Sequence, residues 1–230
     1  MLAISVTSAS PCAGASSLCA ALAAHAARSA GAARVLCADA SEGPLGASRL
    51  FGALPDEERR EERGNDLLDS LCMSSCGVCV LRVPQDAREG FCRILRDLPF
   101  DLVFIDSGFR QESAQQAMGA ASDLTLCVAL SEGNCLARLD GMAPQGREHY
   151  VINRFIRSSK SMYDSRLFLA SSVLAPRLLR TTIPFDEAVL ASTLALKPYP
   201  LSSPFSAASD AASGVLAEIL SICGEGGRGK

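Results

Sequence analysis

Ser8-Ala-Ser-Pro-Cys-Ala-Gly-Ala-Ser-Ser17 is the stretch whose reading decides the fold of this chain. It follows a short apolar run, Leu2–Val6, and precedes an Ala- and Leu-rich stretch from Leu18 to Ala30. That order predicts strand, loop and helix, with the loop opening onto the helix N-terminus. A loop placed there in an α/β protein cradles phosphate, because the free N–H groups of the first helical turn and the positive end of the helix dipole point at the ligand. A working phosphate loop reads G-x-x-x-x-G-K-[ST]. Here Gly14, Ser16 and Ser17 are kept, Ala15 stands where the lysine belongs, and Ser8 stands where the first glycine belongs. Taken alone, the stretch has two readings. One is a phosphate loop that has lost its chemistry; the other is a plain helix start with Ser16 or Ser17 as N-cap.

The 230 residues suit one α/β domain or two small ones. Hydrophobic residues make up 48% of the chain but aromatics only 5%, with no Trp, so the core must be aliphatic and Ala-packed. A net charge of −3 speaks against nucleic acid as a partner. The sequence shows no apolar run of the ~18 residues a membrane span needs. It shows no basic segment ahead of the first strand, so no signal peptide is expected, and the cytoplasm is the expected compartment. The ten Cys are scattered, and Cys19, Cys37, Cys92, Cys127 and Cys223 sit in apolar runs, where a reduced thiol acts as a small hydrophobe. A disulfide framework is not expected. Cys72-Met-Ser-Ser-Cys76-Gly-Val-Cys79 is the exception, because its C-x3-C-x2-C spacing is one that holds an iron–sulfur cluster in some enzymes. A metal-binding protein using Cys72, Cys76 and Cys79 is therefore an alternative. Against it, Cys79 begins an apolar strand and no fourth ligand is evident nearby.

Taken in order, the chain alternates strands and helices. Strands are expected at Leu2–Val6, Arg34–Ala38, Val78–Val83, within Pro99–Gly108 up to Asp106, and at Asp123–Leu130, Tyr150–Asn153 and Leu178–Ile183. Helices are expected at Ser16–Ala30, Leu67–Leu71, Asp86–Leu98, Ala114–Ala121, Asn134–Asp140, Met162–Leu174, Glu187–Leu196 and Ala207–Cys223. The mixed-charge run Pro55–Arg63 reads as an exposed helix with surface ion pairs. The last helix carries Val215, Leu216, Ile219 and Leu220 on one side, a core-packing face. The alternation predicts an α/β fold of three layers, a mostly parallel sheet with helices on both faces. No internal repeat or linker divides it, so residues 1–223 form a single domain and residues 224–230 a disordered tail. Asp106 ends an apolar strand ahead of Ser107-Gly108. It is either a turn-capping carboxylate or the acid that supports a nucleotide-bound Mg²⁺.

The series of signals is a degenerate phosphate loop, strands ending in Asp39, Asp106 and Asn153, then Ile183-Pro184 and Glu187-Ala188. It resembles the deviant-Walker ATPases of the MinD/ParA kind. Within them it is most similar to the BcsQ family of cellulose-biosynthesis proteins, through Arg34-Val-Leu-Cys-Ala-Asp39, Gly133-Asn-Cys-Leu-Ala-Arg-Leu139, Val151-Ile-Asn153, Leu178-Leu179, Asp186-Glu-Ala188 and Ala195-Leu-Lys-Pro198. The likeness runs from about Met1 to Cys223 and is poor between Ser41 and Val83.

The resemblance implies roles residue by residue. Gly14 and the N–H groups of Ala15 and Ser16 would face the β-phosphate of ATP, Ser16 would reach Mg²⁺ and Ser17 the α-phosphate. Asp39 and Asp106 would support the metal through water. Asn153 would bond the adenine edge, with Pro184 packed beside the base. It also implies a homodimer or heterodimer, other cellulose-secretion (Bcs) subunits as partners, and a cytoplasmic protein recruited to the inner membrane through them. The departures count as much. Ser10 replaces a cation that reaches across the dimer, Ala15 replaces the loop lysine, and Pro11 and Cys12 replace two glycines. Ser41 stands where such ATPases keep the Asp that orients the attacking water. Two absent charge-assisted phosphate contacts at ~1.5–3 kcal/mol each remove ~10²–10⁴ in affinity. The expectation is a pseudo-ATPase acting by protein binding, with an active ATP-dependent dimerisation switch as the alternative.

Overall fold

The computed structural model describes residues 1–29, 33–42, 46–52, 67–109, 113–132, 135, 139, 146–156 and 158–226. The chain runs β1 (Leu2–Ser8), α1 (Ala15–Ser29), β2 (Val35–Asp39), α2 (Ala47–Leu50), β3 (Cys72–Met73), β4 (Val78–Arg82) and α3 (Arg88–Ile94). It continues through β5 (Leu102–Phe109), α4 (Ser113–Ala121), β6 (Leu124–Leu130), β7 (Glu148–Asn153), α5 (Lys160–Ser171), α6 (Glu187–Leu194), α7 (Tyr199–Ser202) and α8 (Ala207–Gly226). Among the described residues the strands form one sheet in the order β3-β4-β2-β5-β1-β6-β7. Every neighbouring pair is parallel except β3 with β4.

A parallel sheet needs a crossover after each strand, so helices cover both faces and the central strands read as continuous apolar runs. β1 shows this most clearly: Ala3 through Ser8 are all buried. One face packs under α1 and α8, where Leu18, Leu22, Val215 and Ile219 join Ile4, Val6 and Phe104. The other packs under α3 and α4, where Phe91, Leu95 and Met118 join Ala3, Leu36 and Ile105. Ala20, Ala21, Ala23 and Ala24 of α1 are fully buried, as expected of a helix lying close on a sheet in a chain poor in aromatics. β1 stands between β5 and β6, and the chain leaves it to build first on one side and then on the other. Ligands of open α/β sheets bind at the C-terminal strand ends beside such a switch point.

Several boundaries differ from the sequence reading. Leu178–Ile183 is not a strand; it lies beside β7 through a single bridge, Tyr150–Leu178, and the bonds from Leu179 N–H to the Tyr150 carbonyl (2.9 Å) and Ile183 N–H to the Ile152 carbonyl (2.8 Å), and Pro184 bridges Phe155. Glu218 of α8 accepts the backbone N–H groups of Arg180 (2.8 Å) and Thr181 (2.8 Å), so those donors are lost to a ladder, and Pro184 has none to give. The segment expected as one helix over Asp86–Leu98 is α3 with a 3₁₀ turn at each end. The short antiparallel edge strand β3 was not foreseen. α8 is long and apolar enough, by length and composition, to cross a membrane over Ala207–Gly224, which corrects the expectation that no segment is. Its Ala208, Ala212, Val215 and Ile219 are nonetheless core residues, whereas Leu220 is exposed. α8 also runs to Gly226, past the expected start of a tail. The helices expected at 55–63 and 134–140 fall wholly or largely outside the described residues.

Candidate functional site

α1 starts at Ala15, and the Gly14 carbonyl accepts the N–H of Leu18 at 2.9 Å. Ser16 and Ser17 therefore lie inside the first turn, and the reading in which one of them is the N-cap is corrected. Gly14 (φ +94°) and Cys12 (φ +57°) are left-handed and turn the loop onto the helix start. For Cys12, lacking glycine's freedom, that conformation costs about 1 kcal/mol. The first-turn amides of α1 have no acceptor within the helix, which is the elementary condition for an anion site. Ala13 and Ala15 are 1% and 5% exposed, so the Ala15 methyl group lies in the apolar core. The hydroxyls of Ser10 and Ser131 are buried with no partner among the described residues.

The two acids meet at adjacent strand ends. Asp39 of β2 is directly beside Asp106 of β5, and both are fully buried. Asp39 Oδ1 accepts from the N–H (3.1 Å) and hydroxyl (2.6 Å) of Ser41. Its Oδ2 accepts from the N–H (3.0 Å) and hydroxyl (2.5 Å) of Ser48 and pairs with Arg82 Nη1 at 2.8 Å. Asp106 Oδ2 accepts from Ala47 N–H (3.0 Å) and Oδ1 from Gly108 N–H (3.2 Å), and the Ser16 hydroxyl also bonds it. Burial, reinforced by the negative charge of Asp39, pushes the Asp106 carboxyl up to about 6. Ser16, Ala47 and Gly108 only partly oppose that rise.

α2 caps this pair: its first residues hand one amide to each acid. Gly46 is required there, because a Cβ would overlap both carboxylate oxygens of Asp39 and the Ser41 hydroxyl. Behind the pair, Arg88 is 5% exposed and donates to the Ala40 carbonyl (2.5 Å) and to Glu42 (3.1 Å), pinning the chain just after β2.

Asn153 closes the loop from the other side. Its Nδ2 donates to the Ala13 carbonyl at 2.7 Å, and its Oδ1 accepts from Arg154 N–H at 2.8 Å. A Cβ on Gly14 would lie 2.5 Å from that Nδ2, so only glycine admits the amide. Pro184 is bridged to Phe155, two residues beyond Asn153. The structure thus groups Gly14, Ala15, Ser16 and Ser17 with Asp106, Asp39 and Asn153 at one end of the sheet and sets Pro184 beside it.

Cys72, Cys76 and Cys79 are not brought together. β3 pairs with β4 so that Met73 faces Cys79 and Cys72 faces Val80, and consecutive strand residues point to opposite faces. Cys72 and Cys79 are therefore on different sides of the sheet. Cys79 lies 3.9 Å from the Met73 sulfur, and Cys76 lies 3.2 Å from the Ser74 hydroxyl. Among the described residues no group of three His, Cys, Asp or Glu side chains could hold a metal.

An anion fits the amides at the head of α1 and the hydroxyls of Ser16 and Ser17. A divalent ion would meet Asp39 already paired with a guanidinium. Arg82, Ser48, Gly46 and Arg88 were missed by the sequence reading. Arg82 had a visible signal, a lone cation at the end of the apolar run Val78-Cys-Val-Leu.

A family model described as "Cellulose biosynthesis protein BcsQ" matches residues 81–220, more than half of the chain. Among solved structures, the MinC:MinD cell division protein complex of Aquifex aeolicus is similar at 18% identity and TM-score 0.75, with 96% of each chain covered. A ParA family ATPase from Chlorobium tepidum TLS is similar at 16% identity and TM-score 0.71, covering 94% of this chain and 98% of that one. The septum site-determining protein MinD of Pyrococcus horikoshii OT3, complexed with Mg-ADP, is similar at 17% identity and TM-score 0.71, with 95% of each covered. These likenesses show a MinD/ParA-like fold. No curated protein sequence matches the chain.

Proposed function

This chain belongs to the family of the cellulose biosynthesis protein BcsQ, and from that premise we propose that it is a pseudo-ATPase subunit of the cellulose-secretion machinery. It acts by binding other Bcs subunits, in the cytoplasm, and reaches the inner membrane through them. ATP binds weakly or not at all, and none is turned over. The observation that carries this reading is the methyl group of Ala15, buried in the apolar core where phosphoryl transfer needs a cation. Asp39, committed to Arg82 and two serines, and Ser41 in the water-orienting position support it. The test has two arms. Calorimetric titration with ATP and Mg²⁺ is expected to give no binding tighter than the millimolar range. The full chain, tagged in a cellulose-producing cell, is expected to retain Bcs subunits irrespective of nucleotide. Turnover comparable to ParA-type ATPases, or a chain that retains no Bcs subunit, would refute the reading.

One observation favours a second reading, an ATP-dependent dimerisation switch whose missing cation comes from a partner. The Ser16 hydroxyl still bonds Asp106, and the head of α1 still offers its amides. That reading requires dimerisation that appears only with ATP and is lost in Asp106→Ala.

A further inference from the structure

Three charged side chains stand in one row across the sheet. Arg82 of β4 is in register with Asp39 of β2, and Asp39 with Asp106 of β5. In-register neighbours of a parallel sheet share a face, so the row reads cation, acid, acid. Both acids are fully buried, whereas the Arg82 side chain is 33% exposed. Arg82 Nη1 meets Asp39 Oδ2 at 2.8 Å, and Ser41 and Ser48 supply four further donors to the same carboxylate. The resemblance to MinD/ParA-like ATPases implies that Asp39 and Asp106 support a divalent ion through water. The residues present do not fit that ion, because a guanidinium is already there. We propose that Arg82 is a resident counter-ion: it stands on Asp39 in place of a divalent ion and shuts such an ion out of the acid pair.

A cation carried on the neighbouring strand has two advantages over an ion from solution. It loses no translational freedom on reaching the acid. Its charge also repels a second cation, and between buried groups that repulsion is weakly screened. Arginine stays charged at any physiological pH, so the exclusion does not lapse. Among the described residues Arg82 is the one cation on the pair. Arg88, the other guanidinium nearby, is turned to the Ala40 carbonyl and Glu42. α2 covers the acids with the amides of Ala47 and Ser48, and Gly46 lies against Asp39. Arg82 is the partly exposed member of the row, so a shorter neutral side chain there opens the pair to water from that side. Mg²⁺ keeps several of its own waters and takes only one or two carboxylates. The vacated place offers both, which makes the ion's exclusion a property of one side chain.

The test compares the full chain with Arg82→Gln, without nucleotide, in MgCl2 and in KCl of matched ionic strength. A site of about 1 mM affinity multiplies the folded-to-unfolded ratio about twentyfold at about 20 mM ion. The Tm of Arg82→Gln should therefore rise by about 4–7 °C with Mg²⁺, and that of the parent by less than about 1 °C. Electron paramagnetic resonance of free Mn²⁺ should show one ion held by Arg82→Gln at least about tenfold more tightly than by the parent. Adding Asp39→Asn to Arg82→Gln should abolish both responses. If Arg82→Gln is unfolded without the ion, circular dichroism should show it folding as Mg²⁺ is added. A parent that gains as much from Mg²⁺ as the variant overturns the proposal. So does an Arg82→Gln chain indifferent to Mg²⁺, folded or not, or a response that survives Asp39→Asn. No nucleotide or Bcs subunit enters these assays and Ala15 is untouched by them, so their failure leaves the accessory-subunit reading where it stood.

Discussion

Replacing Asp106 by Asn should stabilise the nucleotide-free, metal-free protein at pH 7.5. The carboxyl is fully buried and its folded value lies near 6, raised from 3.8 chiefly by burial and then by the charge on Asp39. In the unfolded chain it ionises as an ordinary carboxylate. Between about pH 4 and 6 the native state therefore holds a proton that the unfolded state has lost, and stability falls as pH rises through that window. At about 1.4 kcal/mol per pH unit the full cost is ~3 kcal/mol, constant above pH 6–7 and absent below pH 4. Asn removes the charge but turns one donor towards a donating amide at Ala47 or Gly108, which gives back ~1 kcal/mol. The net gain at pH 7.5 should be about 1–3 kcal/mol, or about 2–4 °C in Tm per kcal/mol for a chain of this size. Urea unfolding of both proteins at pH 4.5, 5.5, 6.5 and 7.5 isolates the effect of the acid pair, since carboxylates away from Asp39 and Asp106 cancel in the difference. The gain should shrink steadily towards pH 4.5. A variant less stable than the parent at pH 7.5, or a difference that ignores pH, refutes the electrostatic reading of this pair.

Arg82→Gln should act in the opposite sense, costing about 2–4 kcal/mol in urea unfolding at pH 7.5. It leaves the buried Asp39 carboxylate with neutral donors only. Gly46→Ala should cost about 2–4 kcal/mol, because the new methyl overlaps Asp39 and Ser41, and hydrogen exchange at Ala47 and Ser48 should rise with it. Glu218→Ala should cost about 1–2 kcal/mol by removing the acceptor of the Arg180 and Thr181 amides, the second of them half-buried. Its signature is faster exchange at those two amides with α8 otherwise protected.

The parallel sheet was legible because it is written in local patterns. Apolar runs closed by Asp39, Asp106 and Asn153 could only be buried strands, and the helices between them dictate parallel pairing. Asp39, Asp106 and Asn153 end β2, β5 and β7, and the loop that follows β1 lies at the same end of the sheet, which is why residues so far apart in sequence are grouped. What escaped reading was settled by contacts distant in sequence. Glu218 takes backbone donors 37 and 38 residues away and so cancels a strand that Leu178–Ile183 otherwise advertises. Nothing near Gly46 announces that it must slide over a carboxylate, because the acid it covers is on another element. Cys72, Cys76 and Cys79 read as a ligand set by spacing alone, and the β3–β4 register, a non-local fact, sends two of them to opposite faces.

The Ser16 hydroxyl on Asp106 joins the loop before α1 to the acid pair. Two fully buried carboxylates side by side repel, and burial penalises each further. The protein answers from within. Arg82 neutralises Asp39, four donors from Ser41 and Ser48 complete its shell, α2 places amides on both acids, and Asp106 shifts towards its neutral form. Asp39 is thus paired with Arg82, whereas Asp106, ionised above pH 6–7, is held only by the neutral donors Ser16, Ala47 and Gly108, and it is this unbalanced charge that Asp106→Asn removes.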